Sequence, residues 1–288
     1  MSRARATAIG FIAVLLWALL ALLTVKSAPT PPLLLNAICF AIGGTLGLIW
    51  AGVSGGLALL KGVSWRVYAF GTLGLFGYHA LYFTALRLAP AAEAGLIAYL
   101  WPLLIVLFSG LLPGEHLRAG HILGALLGFA GAALIIGASL GAEIGVSALP
   151  GYLAALACAL TWAGYSVLSR RLGHAPTQTV AVFCLATAAL SAGLHFALEK
   201  TVWPQGPIAW GAAIGLGLGP VGLAFYVWDI GVKRGDIQLL GVASYAAPLL
   251  STLILVMTGV AAPSWLLALS AILITGGAAL AARAGRVR

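Results

Sequence analysis

Apolar residues run in stretches of about twenty along the chain, broken by short polar connections, near 6–25, 31–52, 66–87, 91–112, 118–139, 149–170, 177–197, 207–229, 237–259 and 264–283. A helix of about 20 apolar residues crosses the hydrocarbon core of a bilayer. The pattern predicts an all-α integral membrane protein with ten transmembrane helices. Arg3 and Arg5 before the first run give it the look of a leader peptide. Its apolar stretch is long, however, and Trp17-Ala18 inside it has a partner at Trp162-Ala163 in the sixth run, so a retained helix is expected.

That partner belongs to a longer correspondence. Tyr99-Leu100-Trp101-Pro102 recurs 146 residues later as Tyr245-Ala246-Ala247-Pro248, and the same offset carries Gly131-Ala132-Ala133-Leu134 onto Gly277-Ala278-Ala279-Leu280. The chain therefore divides into residues 1–143 and 144–288, each with five apolar runs. Five is odd, so if every run crosses the bilayer the two halves enter it with opposite orientation. Inverted repeats of this kind are characteristic of alternating-access transporters, which bind substrate between the halves near the midplane.

Composition agrees with a lipid setting: 62% of residues are hydrophobic, 7% are charged, and the mean hydropathy is +1.10. The net charge of +9 is distributed by topology. Arg3, Arg5, Lys61, Arg66, Arg118, Arg170, Arg171, Lys233, Arg234, Arg283, Arg286 and Arg288 fall on the face of the two termini, against Lys26, Arg87 and Lys200 on the other. The excess of positive charge predicts cytoplasmic termini. Spread over short loops, these residues form no nucleic-acid-binding patch.

Several chemistries lack their residues. Cys39, Cys158 and Cys184 lie within runs without CxxC spacing, so neither a disulfide nor a metal site is expected. Gly52-Val53-Ser54-Gly55-Gly56 matches GxSxG without a strand–turn–helix setting and reads as a turn. No phosphate-binding loop or paired intramembrane carboxylates occur, so neither an enzyme nor an ATP-driven pump is expected, and no cofactor.

Glycines spaced by four, as in Gly43-Gly44-Thr45-Leu46-Gly47, in Gly120, Gly124 and Gly128, and in Gly211, Gly215 and Gly219, predict faces where helices approach closely. Gly219-Pro220 also predicts a helix break, absent from the equivalent Leu73-Gly74. Pro102 and Pro248 hold equivalent mid-membrane positions, and each removes the donor for the carbonyl four residues earlier, at Ala98 and Ser244. Paired breaks at corresponding positions point to a cavity; simple kinks satisfied by packing are the alternative.

His79 stands halfway along the third run between Tyr78 and Tyr82, an ionisable group in an otherwise uncharged stretch. Two readings stand, a hydrogen-bonded packing residue and a ligand-facing imidazole. Asp229 and Glu93 lie closer to membrane edges and are expected to snorkel or pair with loops. Trp65, Trp203, Trp210 and Trp265 sit near run ends as interfacial anchors. Trp17, Tyr78, Tyr82, Tyr99, Trp101, Trp162, Tyr165, Phe225, Tyr226, Trp228 and Tyr245 lie too deep for a belt and suit a cavity that stacks on an apolar solute. Face spacing and the proline breaks direct His79, Tyr82, Tyr99, Trp101 and Ser244 into it. No Lys or Arg lies mid-run for a phosphate, and the first run has no carboxylate for a cationic drug, which leaves a zwitterion or neutral solute.

Ten runs in two halves, Trp17 and Trp162 in the first run of each, the Tyr-x-x-Pro pairs in the fourth, and Glu115 ahead of a Gly/Ala-rich helix resemble the drug/metabolite transporter superfamily, EamA type. The acidic residue after the fourth run, Glu115, is replaced by Ala261 in the second half. Within the superfamily, Tyr78-His79-x-x-Tyr82 and Tyr99-x-Trp101-Pro102 resemble bacterial aromatic amino-acid exporters. The resemblance implies an exporter in the bacterial inner membrane with amino acids as small-molecule substrate and lipid as surroundings. A multidrug exporter of the same fold, a channel-like facilitator and a non-transporting scaffold remain the alternatives, and the oligomeric state stays open.

Overall fold

Each apolar run forms a helix or a broken pair of helices. The computed structural model describes residues 1–137, 148–172, 174–259 and 264–286, and contains no strand among them. The first half comprises α1 (Arg3–Trp17), α2 (Leu20–Lys26), α3 (Pro32–Val53), the short α4 (Leu57–Lys61), α5 (Trp65–Leu88), α6 (Ala91–Ala98), α7 (Trp101–Ser109) and α8 (Ala119–Gly137). The second comprises α9 (Leu149–Arg171), α10 (Thr179–Leu198), α11 (Gly206–Leu218), a π-helical turn (Gly219–Leu223), α12 (Ala224–Arg234), α13 (Ile237–Ala243), α14 (Ala246–Met257) and α15 (Trp265–Arg286). Eight stretches are long and apolar enough to cross a membrane. Not among the eight are α5, which carries four polar aromatic or imidazole side chains, and the shorter apolar segment Glu93–Ser109. The boundary expected near 143, Ala261 and Arg288 lie outside the described residues.

Helix pairing crosses from one half to the other. The closest partners are α1 with α12, α5 with α9, α3 with α10, and α8 with α15, while α7 packs on α13. Shifting each member by one half exchanges the first two pairs and returns α3 with α10 and α8 with α15 onto themselves. Small residues set these distances. A Cβ on Gly10 of α1 would lie 2.8 Å from the Cα of Gly231 in α12, and one on Gly124 of α8 would lie 2.5 Å from the carbonyl oxygen of Gly277 in α15. Gly43, Gly44 and Gly47 meet α10 and α12 and the π turn as closely. The third glycine stripe corrects the expectation: Gly211 has nothing within 4 Å, and Gly215 and Gly219 meet only Leu23 and Leu16 at ordinary contact distance. In that stretch Gly217 and Gly222, off the spacing-of-four row, make the close contacts instead. Trp65, Trp203 and Trp265 are exposed, as anchors in an interface would be.

Charged side chains gather at the two ends of the bundle. At the end where the chain begins, the buried carboxylate of Glu115 pairs with Arg170 at 2.6 Å and Arg3 at 3.1 Å, and Arg3 also reaches Asp236 at 3.3 Å. Arg170 donates further to the carbonyls of Val232 and Gly235, and Arg118 to that of Ala284. At the opposite end Glu199 accepts from Arg87, from the first amides of α3 at Leu33 and Leu34, and bonds His195, whose second nitrogen meets Thr201. A carboxylate on the first amides of a helix satisfies orphan donors and complements its dipole.

Candidate substrate site

Proline decides the local geometry here. Pro102 and Pro248 have no amide to donate, and the backbone breaks just ahead of both, between α6 and α7 and between α13 and α14. The amide of Leu100 turns back to Ile97 at 3.1 Å and that of Ala247 to Ser244 at 3.1 Å. The Ser244 carbonyl, expected to be free, is thereby satisfied. The amide of Leu103, which a continuous helix would direct at Tyr99, donates instead to the hydroxyl of Tyr245 at 3.0 Å. At Gly219-Pro220 the helix widens into a π turn, with the amide of Ala224 reaching back five residues to Gly219, whereas α5 runs unbroken through Leu73-Gly74. The indole of Trp17, the last residue of α1, donates to the Pro220 carbonyl at 3.2 Å. An aromatic side chain from one half thus holds a helix break in the other at two places.

These breaks surround a cluster of rings. Trp17, Trp101, Trp162 and Trp228 all touch one another, with centroids 5.1 to 6.3 Å apart. Two come from each half, and the equivalent pair Trp17 and Trp162 are 6.0 Å apart. Trp101, Trp162 and Trp228 are buried, the last with its indole donating to Ser166. Tyr78 joins the cluster through Trp162 at 5.3 Å, Tyr82 stacks on Tyr78 at 6.2 Å, and Tyr99 lies against Trp101 at 6.4 Å. Tyr78, His79, Tyr82 and Tyr99 remain half-buried, toward the end at which α5 terminates. Half-buried rings here rest on buried tryptophans, and the accessible parts of Tyr78, His79, Tyr82 and Tyr99 are the candidate recess for a solute.

His79 bonds and contacts at once. Its Nδ1 is 2.7 Å from the Leu75 carbonyl. A carbonyl only accepts, so Nδ1 carries the proton and Nε2 keeps a lone pair. The ring packs edge-on against Phe40 at 5.0 Å and near Phe225 at 6.2 Å. Phe40 and Phe225 stack on each other at 5.4 Å. Phe40 carried no sequence signal, having no aromatic partner in the repeat, and Trp228 and Phe225 were visible only as members of a long aromatic series.

Not every expected residue joins. Tyr226 turns its hydroxyl to the Gly43 carbonyl at 2.9 Å and its ring to Trp50, apart from the cluster. Ser244 is fully buried with its hydroxyl on the Leu240 carbonyl. Tyr245 stands behind Tyr99 and packs on Phe129. Asp229 pairs with Lys233 and Thr177, each at 2.8 Å, in keeping with pairing near a helix end. Glu93 does not snorkel: it is buried, and its Oε2 has no partner among the described residues. The described residues hold no cluster of His, Cys, Asp or Glu able to bind a metal, and the cysteines are free and buried.

A polytopic helical membrane protein whose two halves close on a shared, uncharged ring cluster is built as a solute transporter. The chain belongs to the EamA-like transporter family, which it matches over residues 5–137 and again over 149–283. It is a transporter and not an enzyme. It is 58% identical over 283 residues to the aromatic amino acid exporter YddG of Ancylobacter novellus, covering 98% of both chains. The exporter of the same name in Escherichia coli K12 is 26% identical over 298 residues, with 97% of each chain covered. A solved crystal structure at 56% identity superposes with a TM-score of 0.94 over 99% of this chain and 100% of that one.

Proposed function

We propose that the protein exports aromatic and other hydrophobic amino acids across the bacterial inner membrane, by alternating access between two inverted five-helix halves with both termini in the cytoplasm. The observation that carries the reading is the contact of four tryptophans, two from each half, beside half-buried Tyr78, His79, Tyr82 and Tyr99. Such a recess takes an apolar ring by stacking, with tyrosine hydroxyls and the Nε2 lone pair of His79 left for an ammonium or carboxyl group. The names of the relatives in Ancylobacter and Escherichia point to the same substrates.

The inverted arrangement draws support from which helix ends meet. The start of α1 and the end of its equivalent α9 share Glu115, the start of α8 and the end of α15 share the Arg118–Ala284 bond, and the start of α3 and the end of α10 share Glu199. Equivalent helices running in opposite senses would produce these meetings. The Glu115 end carries the excess of positive charge and is assigned to the cytoplasm. On this reading the recess opens outward and the breaks at Gly219, Pro220, Pro102 and Pro248 are the hinges on which the halves rock, a role supported by the bonds from Trp17 to Pro220 and from Leu103 to Tyr245 across the halves.

Counterflow of labelled tryptophan in proteoliposomes tests the proposal. Exchange with unlabelled tryptophan or phenylalanine, and none with a planar organic cation, is the expected result. Counterflow of the labelled cation with no tryptophan exchange would make the protein a multidrug exporter instead. A scaffold would exchange nothing and show no ligand-dependent rise in melting temperature.

A further inference from the structure

At the Glu115 end a cavity of about 760 Å³ opens between α1, α13 and α15, with none of the four clustered tryptophans in its lining. Its mouth holds one cation and one anion side by side, Arg3 and Asp236, with a single contact of 3.3 Å between them. Its walls below are apolar, formed by Phe11, Leu239, Leu240 and Ala243. Both charged groups have capacity to spare. Arg3 uses one terminal nitrogen for Glu115 and Asp236, and its Nε is buried with no partner. Asp236 commits Oδ1 to the amide of Leu239 as the N-cap of α13, while Oδ2 pairs with Arg3 alone among the described residues.

We infer that this cavity is a loading site for hydrophobic zwitterionic amino acids, distinct from the ring cluster. The inference rests on the export reading. Adjacent opposite charges above an apolar slot complement a solute with its own carboxylate and ammonium on one carbon and an apolar group beyond: the carboxylate goes to Arg3, the ammonium to Oδ2 of Asp236, and the side chain toward Phe11 and Ala243. A plain cation meets Arg3 and a plain anion meets Asp236, so each gains one attraction and suffers one repulsion. An exporter must also collect substrate from the cytoplasm, and in this conformation Trp101, Trp162 and Trp228 are buried. Capture therefore precedes contact with the rings. A carboxylate on Arg3 competes with Glu115, so loading loosens the ion pair that ties α1 through Glu115 to Arg170 on α9.

The test uses the full-length protein in proteoliposomes of determined orientation, with initial rates of tryptophan uptake from each face. Arg3→Gln and Asp236→Asn, the latter keeping an oxygen to cap α13, should raise KM from the cytoplasmic face about tenfold and leave KM from the other face within twofold. Arg5→Gln, exposed and outside the cavity, should leave both unchanged. Equal changes at both faces, or none, would overturn the site. A second measurement is independent of turnover: alkylation of Ala4→Cys in the cavity wall should be slowed by tryptophan and not by tryptamine or indole-3-propionate. Protection by the amine alone, by the acid alone, or by none of the three refutes zwitterion recognition. Absent tryptophan transport in the wild type would instead sink the export reading, and the protection experiment would still decide the loading site.

Discussion

The hydroxyl of Tyr245 accepts the backbone amide of Leu103 at 3.0 Å, so the tyrosine of one helix break satisfies the donor exposed by the equivalent break in the other half. The relationship is not reciprocal, since the hydroxyl of Tyr99 makes no hydrogen bond among the described residues. Tyr245→Phe leaves a buried N–H without an acceptor, at a cost of about 1–3 kcal/mol. Thermal unfolding in detergent should show a lower Tm for Tyr245→Phe and almost none of that loss for Tyr99→Phe. Equal shifts would mean that the two breaks are supported alike.

Tyr99 and Trp101 should separate stability from transport in the other direction. Alanine at either removes a ring from the recess and, on the proposed function, should weaken tryptophan binding by about 1–3 kcal/mol, a tenfold to hundredfold rise in the half-saturating concentration. Well-folded variants with wild-type counterflow would place the substrate elsewhere.

Gly10→Ala drives a methyl group to 2.8 Å from the backbone Cα of Gly231 and 2.9 Å from Cδ1 of Leu240, while Gly211→Ala adds a methyl with nothing within 4 Å. Overpacking of this kind costs about 1–3 kcal/mol. The first variant should melt well below the second, which should match the wild type. A Gly10→Ala protein as stable as its parent would show that α1 and α12 can separate freely.

The charge asymmetry predicts that cysteines replacing exposed Ala28 and Lys200 react with an impermeant maleimide from outside intact cells, and those replacing Ser2 and Ser64 do not. The reverse labelling pattern would turn the whole arrangement over.

His79 is the imidazole among the tyrosines of the recess, and its lone pair on Nε2 can accept a bond without titrating. Transport is expected to run down the amino-acid gradient, and His79→Gln, which still hydrogen-bonds but cannot titrate, should keep substantial counterflow. Accumulation driven by an imposed pH step and abolished in His79→Gln would identify the histidine as a proton carrier. Accumulation abolished only in Glu93→Gln would assign that role to the buried carboxylate of α6.

The positions of the helices were legible because run length in an apolar chain leaves little choice, and the paired breaks because proline acts on its own backbone wherever it stands. What a side chain touches across the bundle depends on rotation about each helix axis, which apolar composition barely constrains. Tyr226 and Phe225 illustrate this: adjacent in sequence, one ring faces Gly43 and Trp50 and the other meets His79. Gly211, Gly215 and Gly219 fail for the same reason, since regular spacing names a common face without naming the neighbour. The bridge from Arg3 to Glu115 joins residues 112 apart through loops that no periodicity describes.

Four indoles in mutual contact form a coupled set of chromophores. Their near-ultraviolet circular dichroism and fluorescence should depend on the relative angles of Trp17 and Trp101 from one half and Trp162 and Trp228 from the other. Any rocking of the halves changes those angles. The protein therefore carries its own optical reporter of conformational state, readable in real time without a label.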